Sequence, residues 1–386
     1  MKRPAWLVAA ASAALLFSSA APAAETVKVG VIGPFSGQLS GSWGTPFRQG
    51  METYTAQKGP LSGDIKIEYI YRDLPTVDPQ RARALAQELI VRDKVQYLAG
   101  FVSTPDALAV ASVIQSAKIP SVIFNAAGPT IVGKSDYFLR TSNTLPEITV
   151  PVARYMAENG LKRVVTAVAD YSPGADAEAA FKDAYGNSGQ VIESIRMPLS
   201  TTDFGPFLQK IRLLKPDALF VFLPAGPATF GFVKAYQENG MKAEGIRFFG
   251  LSETQESDLQ QLGDAAIGLE TSYIYSAAHE SKVNADFQAA YRKLYPNGTV
   301  NPATVMAYDG THVLRTMIEA TKGKKDADGA MKAAKGLAWE SPRGPVKIDA
   351  ASRELVQNVY IRSVQKGTDG RLYNKEIKVY PPTAKP

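Results

Sequence analysis

The sequence predicts an α/β fold of two successive parallel-sheet units, on three observations. Short apolar runs alternate with helix-period stretches from Val27 to Gly250, polar glycine-bearing loops follow several of those runs, and the alternation continues past residue 140 without a Pro/Ser/Gly tether. The first run, Val27, Val29, Val31 and Ile32, is too short for a helix and is stopped by Gly33-Pro34. A polar loop carrying Trp43 follows, and Thr45-Pro46 reads as the N-cap and first-turn proline of a helix through Phe47, Met51 and Tyr54 that Gly59 ends. Ile65–Tyr71 reads as a strand. Asp78-Pro79 caps a helix in which Ala82, Leu85, Ala86, Leu89 and Ile90 form one apolar stripe. Tyr97–Gly100 is the next buried strand, feeding the loop Phe101–Pro105 and a helix through Ala111 and Ile114. Strand Ser121–Phe124 leads to a third strand-end loop, Asn125–Pro129. Ligands of open α/β sheets collect at the carboxyl ends of strands, where these loops lie.

The second unit reads as helix Ile148–Asn159, strand Arg163–Ala169, loop Asp170–Gly174, helix Ala175–Tyr185 and strand Val191–Met197. Helix Phe204–Leu214, strand Ala218–Leu223, loop Pro224–Pro227, helix Thr229–Asn239 and strand Arg247–Gly250 complete it. Beyond Leu269 the pattern loosens: Tyr273–Tyr275 is extended, Val283–Tyr295 and Ala303–Lys322 are helices, and Val346–Ile348, Val356–Val364 and Ile377–Tyr380 are strands. Gly323–Asp326 is a solvated loop.

Residues 1–23 have the form of a secretory signal peptide: Lys2 and Arg3, the apolar run Ala5–Phe17, and the small residues Ala21-Pro22-Ala23. The expected product is an exported, soluble, periplasmic protein, and with no cysteine it must be held by its core. The net charge of +6 loses two units with Lys2 and Arg3, and the remaining basic residues form no run, which argues against nucleic acid as a partner. His279 and His312, the only histidines, lack metal-ligand spacing, so no metal is expected. No G-x-G-x-x-G, P-loop lysine or G-x-S-x-G elbow occurs, so no cofactor and no enzymatic activity are expected, with a hydrolase kept as the remote alternative.

Taken together, VKVGVIGPFSG…WG, ARALAQELI, YLAGFVST, IPSVIFNAAGP, FLRTS, VADYSPG and DF…FLQKIRLLKPDALFVF give nearly the whole mature chain the order and spacing of a known family. The chain resembles the periplasmic solute-binding proteins of ABC importers, specifically the leucine/isoleucine/valine-binding family with its type I fold. The resemblance implies two Rossmann-like lobes joined by about three crossings, near Arg140–Asn143, Leu269–Ser272 and Gly344–Ala350. Residues 25–141 plus 272–346 would form lobe 1, and 142–271 plus 347–380 lobe 2. It also implies a monomeric receptor that closes on a small carboxylate-bearing ligand, a branched-chain or related amino acid, and delivers it to an inner-membrane ABC permease. The alternatives are the same role for an aromatic or other non-amino acid, and an amide or acid sensor.

Carried over residue by residue, the resemblance places the ligand carboxylate on Ser103, Thr104, Ala126, Ala127 and Gly128, where free N–H groups and hydroxyls suit an anion. Ser103 or Thr104 could equally serve as the helix cap. Trp43 and Phe101 would supply apolar walls, Tyr171 and Ala225 the second-lobe wall, and Glu253 the acid for an α-ammonium. The ammonium half departs from the family pattern: Pro173 stands where an aromatic is expected before Gly174, and Pro224–Pro227 carries no aromatic.

Overall fold

The computed structural model describes residues 25–61 and 65–382, so the signal peptide expected over 1–23 lies outside the described residues. Two parallel sheets organise the chain. In the first, β1 (Thr26–Gly33), β2 (Lys66–Asp73), β3 (Tyr97–Gly100), β4 (Ser121–Ile123) and β5 (Phe138–Arg140) lie in the order β2-β1-β3-β4-β5, all parallel. Helices α1 (Thr45–Lys58), α2 (Pro79–Val91) and α3 (Thr104–Ala117) are its crossovers.

The chain then enters the second sheet through α4 (Leu145–Glu158), β6 (Arg163–Ala169), α5 (Ser172–Tyr185), β7 (Gln190–Met197), α6 (Gly205–Leu214), β8 (Ala218–Phe222), α7 (Pro227–Glu238), β9 (Arg247–Gly250), α8 (Glu256–Leu262) and β10 (Glu270–Tyr273). It returns to the first sheet with α9 (Lys282–Leu294) and α10 (Pro302–Ala320), α10 packing along α1 and over β3 and β4. Helix α11 (Ala327–Ala334) leads to a small antiparallel sheet of β11 (Ala338–Ser341), β12 (Gly344–Ile348) and β13 (Leu355–Val356). Strands β14 (Val359–Lys366) and β15 (Leu372–Tyr380) finally add an antiparallel edge to the second sheet, whose order is β15-β14-β10-β9-β8-β6-β7.

Period-2 burial explains why the second sheet carries apolar layers on both faces. Val164 and Val168 of β6 join the core that runs on from the first sheet, while Val165 and Ala167 turn to a separate cluster with Leu219, Val221, Phe232 and Phe248. Helix α4 covers β10 and β14 on the first of these faces.

Three differences from the sequence-based expectation concern boundaries. Thr45 is not the cap of α1: Ser40–Gly44 winds into a π-helical turn continuous with α1, and Gly44 holds the cap position. The second crossing follows Tyr273, not Leu269–Ser272, because β10 stays paired to β14 through Tyr273. The third falls at Gln357-Asn358 instead of Gly344–Ala350, because Val346, Ile348 and Leu355 turn inward and keep residues 344–356 in the small sheet. The expected assignment of 347–356 to the second lobe is corrected accordingly.

The crossings are knitted by buried polar groups. Arg343 donates to Asp309 Oδ2 (2.5 Å), Gln357 Oε1 (2.8 Å) and the Thr141 carbonyl (2.7 Å). Gln357 Nε2 in turn donates to the Ser142 carbonyl (2.6 Å) and to Glu147 Oε1 (3.1 Å) at the start of α4. Arg140 is fully buried and pairs with Glu354 at 2.8 Å. Buried charges persist only when paired and hydrogen-bonded, and this chain of partners meets that requirement across the first and third crossings.

Candidate functional site

On the first sheet, β1 and β3 end in backbone that only particular residues permit. A Cβ on Gly44 would sit 1.9 Å from the Pro34 carbonyl oxygen, so the π-turn and the β1 loop meet only because residue 44 is glycine. Asp73 accepts the Phe35 N–H (2.7 Å) and the Ser36 N–H (3.1 Å), which fixes the β1 loop to the end of β2. Trp43, 6% exposed, packs edge-on against Phe47, which meets Phe124 in the same way.

After β3, Gly100 has φ +107° and Phe101 has φ +65°. A left-handed phenylalanine is strained by about 1–3 kcal/mol, and such conformations persist where the surroundings over-determine them. Here the Phe101 N–H donates to the Ile32 carbonyl (2.9 Å) and its own carbonyl accepts the Ala126 N–H (2.9 Å). The Phe101 ring is buried edge-on against Phe138 in the core. Its part in the site is to turn the chain toward α3.

Ser103 is the cap of α3. Its Oγ accepts the Asp106 N–H (3.3 Å) and donates to Asp106 Oδ2 (2.5 Å), so the hydroxyl is committed. Thr104 Oγ1 accepts the Gly128 N–H at 3.0 Å, which ties the two loops together and leaves the threonine hydroxyl hydrogen to donate. Arg140 takes the carbonyls of Ala126 (2.7 Å) and Gly128 (2.9 Å) from beneath, and Asn125 Nδ2 holds the Val102 carbonyl (2.8 Å). Carbonyls are thereby consumed and donors remain: the backbone N–H groups of Ser103, Thr104 and Ala127 have no protein partner among the described residues. Donors left over at the start of a 14-residue helix form a cradle for an anion.

On the second sheet, Tyr171 precedes α5 and lies parallel to Phe222, ring centroids 6.4 Å apart and 4° between planes. Its hydroxyl has no protein partner among the described residues, and burial, with Glu253 nearby, pushes its pKa up. Ala225 lies in the loop between β8 and α7, nearly buried. Glu253, 1% exposed, does not stand free: its oxygens accept the N–H groups of Leu223 (2.9 Å) and Leu251 (2.5 Å), clasping the ends of β8 and β9. Burial pushes its carboxyl up to about 7.

The two halves meet through residues the sequence did not single out. Ser42 Oγ donates to Asp258 Oδ1 at 3.3 Å, and Asn301 Nδ2 reaches both Ser257 Oγ (3.1 Å) and the Ser42 carbonyl (3.4 Å). The π-turn beside Trp43 therefore lies against α8. No local periodicity announces such contacts, which depend on how the two sheets face each other.

A cavity of about 650 Å³ opens elsewhere, between the start of α4, residues 349–359 and Tyr380–Pro382, and no candidate cleft residue lines it. His312 is half-buried and hydrogen-bonded to Tyr54 (2.8 Å), and His279 lies 3.0 Å from the Glu376 carboxylate. No metal-ligand cluster is found among the described residues, and no described helix is long and apolar enough to cross a membrane.

The chain matches the periplasmic binding protein family over residues 26–369. It is 49% identical to Leu/Ile/Val-binding protein homolog 6 of Brucella abortus (strain 2308), over 96% of each chain. It is 44% identical to a solute-binding protein of an ABC transporter from Rhodopseudomonas palustris HaA2, solved in complex with p-hydroxybenzoic acid, with a TM-score of 0.89 over 93% of this chain and 98% of that one. A solute-binding protein from Rhodopseudomonas palustris BisB5, solved with 3,4-dihydroxybenzoic acid, is 41% identical with a TM-score of 0.88, over 94% and 99%. With its two parallel sheets, crossings and strand-end cradle, the chain belongs to the periplasmic binding protein family and is a solute-binding receptor of the ABC-transporter type.

Proposed function

We propose that the protein is an exported receptor that closes its two lobes on an aromatic carboxylic acid of the hydroxybenzoate class and presents it to an inner-membrane ABC permease. The observation that carries this reading is the state of Glu253. An α-ammonium needs an ionised acid with open lone pairs, and here the one candidate acid is buried, raised to about 7 and already clasping two backbone N–H groups. What the second lobe offers in its place is the flat Tyr171–Phe222 pair, opposite a first lobe that carries Trp43.

In this reading the ligand carboxylate takes the N–H groups of Ser103, Thr104 and Ala127 and the Thr104 hydroxyl, with Gly128 and Ala126 as the scaffold beneath. The ring lies between Trp43 and Tyr171, and Ala225 leaves room beside it. The solved neighbours with bound hydroxybenzoic acids support this class, while the name of the Brucella relatives supports the competing branched-chain amino acid.

Titration calorimetry on the mature protein decides between them. 4-Hydroxybenzoate is expected to bind with a dissociation constant of about 1 μM or lower and leucine to give no heat at millimolar concentration. The reverse order overturns the aromatic reading in favour of an amino acid, and chemical change of any bound acid would make the protein an enzyme.

A further inference from the structure

Gln255 is the polar side chain the fold leaves most conspicuously unmet. It is 0% exposed, and neither its Nε2 nor its Oε1 has a protein partner among the described residues. A buried primary amide carries two donors and an acceptor, and leaving them unpaired is costly enough that such a group calls for a missing partner. Its neighbours are engaged at least in part: Glu256 Oε2 and Asp258 Oδ2 are also unmet, but each of those side chains has a bond through its other oxygen. Thr254 bonds to Thr271 (3.0 Å) and Asn374 (3.0 Å), Glu253 clasps the strand ends, and Glu256 accepts from Asn374 (3.0 Å). Ser257 and Asp258 reach across to Asn301 and Ser42 of the opposite lobe. Gln255 thus stands in the strand-end loop after β9, in the segment that meets the π-turn of Trp43, with a partnerless amide enclosed there.

We infer that Gln255 determines ligand specificity by hydrogen-bonding a hydroxyl on the ligand ring. The inference rests on the aromatic-acid reading and adds which member of the class is preferred. A ligand whose carboxylate sits on the first lobe turns its far end toward the second. A phenolic hydroxyl can donate to the amide oxygen or accept from the amide nitrogen, which a bare C–H cannot. A site built to bond a hydroxyl discriminates strongly against the analogue lacking it, because the protein's own polar group is then stranded.

The test is a pair of ligands on a pair of proteins. Dissociation constants for 4-hydroxybenzoate and benzoate are measured by calorimetry on the native mature protein and on Gln255→Leu. The native protein is expected to favour 4-hydroxybenzoate by about 10- to 100-fold, and Gln255→Leu to reduce that ratio to about 2-fold or less while keeping benzoate binding. In the ligand-free state Gln255→Leu is expected to melt at or above the native temperature, since an unmet amide is replaced by an apolar group of similar size. Equal affinities in the native protein, or a preference that survives in Gln255→Leu, overturn the inference and leave the aromatic-acid reading standing. Failure of the native protein to bind either acid overturns both. Should Gln255→Leu not fold, the same ratio is read on Gln255→Met.

Discussion

Glu253 joins two strand ends and is, for that reason, poorly suited to hold a ligand's ammonium. Replacing it with glutamine leaves one acceptor where two N–H groups need partners, so Glu253→Gln is expected to lose about 1–3 kcal/mol of stability, seen as a lower melting temperature. Its affinity for an aromatic acid should change by about twofold or less; a collapse in affinity at unchanged stability would return Glu253 to the ligand. Trp43 is separable from the other tryptophan in the described residues, because Trp339 is tied by its indole N–H to Asp309 (2.9 Å), a partner of the crossing network. Saturating ligand should therefore shift the fluorescence of the native protein and leave that of Trp43→Phe unchanged. A shift that persists in the variant would place the sensing ring at Trp339.

At the level of elements, the β1 loop and its π-turn form one unit whose closeness is set by Gly44. Gly44→Ala drives a methyl into the Pro34 carbonyl, and overpacking of this kind costs about 1–3 kcal/mol. The expected outcome is a lower melting temperature together with at least a tenfold weaker ligand, read by calorimetry, because Ser42 and Trp43 move with the turn. An unchanged affinity would show that the turn is not part of the cleft. The same element marks where reading the sequence stops. The apolar stripe of α2 and the buried runs of β1, β3 and β6 announced themselves by period, and Gly100–Thr104 and Ala126–Gly128 by following strands. The π-turn did not, since Thr45-Pro46 carries the same signal whether the chain ahead of it is loop or helix. Strand β5 and helix α11 were too short to show a period, and β13 has only two residues. The bond from Leu223 that commits Glu253 and the contact of Ser42 with Asp258 exist only once distant segments are brought together, whereas the cap bonds of Ser103 to Asp106 are local.

For the molecule as a whole, buried acids set the response to pH. Glu147 and Glu253 are raised from the usual 4.5 to about 7, and Asp258 from 3.8 to about 6, in each case chiefly by burial. The folded chain therefore holds protons that the unfolded chain has released, so these groups stabilise most on the acid side and their contribution is lost as pH rises toward about 7. His312, whose pKa burial lowers, works in the opposite direction below its usual 6.5, while Asp106, Asp176 and Glu256, also raised by burial, act with the three acids. Glu178, lowered to about 2, acts only as pH falls below the usual 4.5. Thermal melts are expected to give a higher midpoint at pH 5.5 than at pH 8, with a flatter dependence in Glu147→Gln; a midpoint that rises from pH 5.5 to 8 would contradict the assignment.

Strands β14 and β15 carry one further consequence, for the birth of the protein. The second sheet begins at Arg163, yet β10 is flanked only when Val359–Tyr380 arrive, and the first sheet waits for α10 at Pro302–Ala320 to cover β3 and β4. Neither half can be finished by an N-terminal fragment. Contacts of such long sequence separation form slowly, so completion of both halves is expected to wait for the C-terminal residues. That delay would suit the proposed export, in which a chain is threaded through a membrane before it folds.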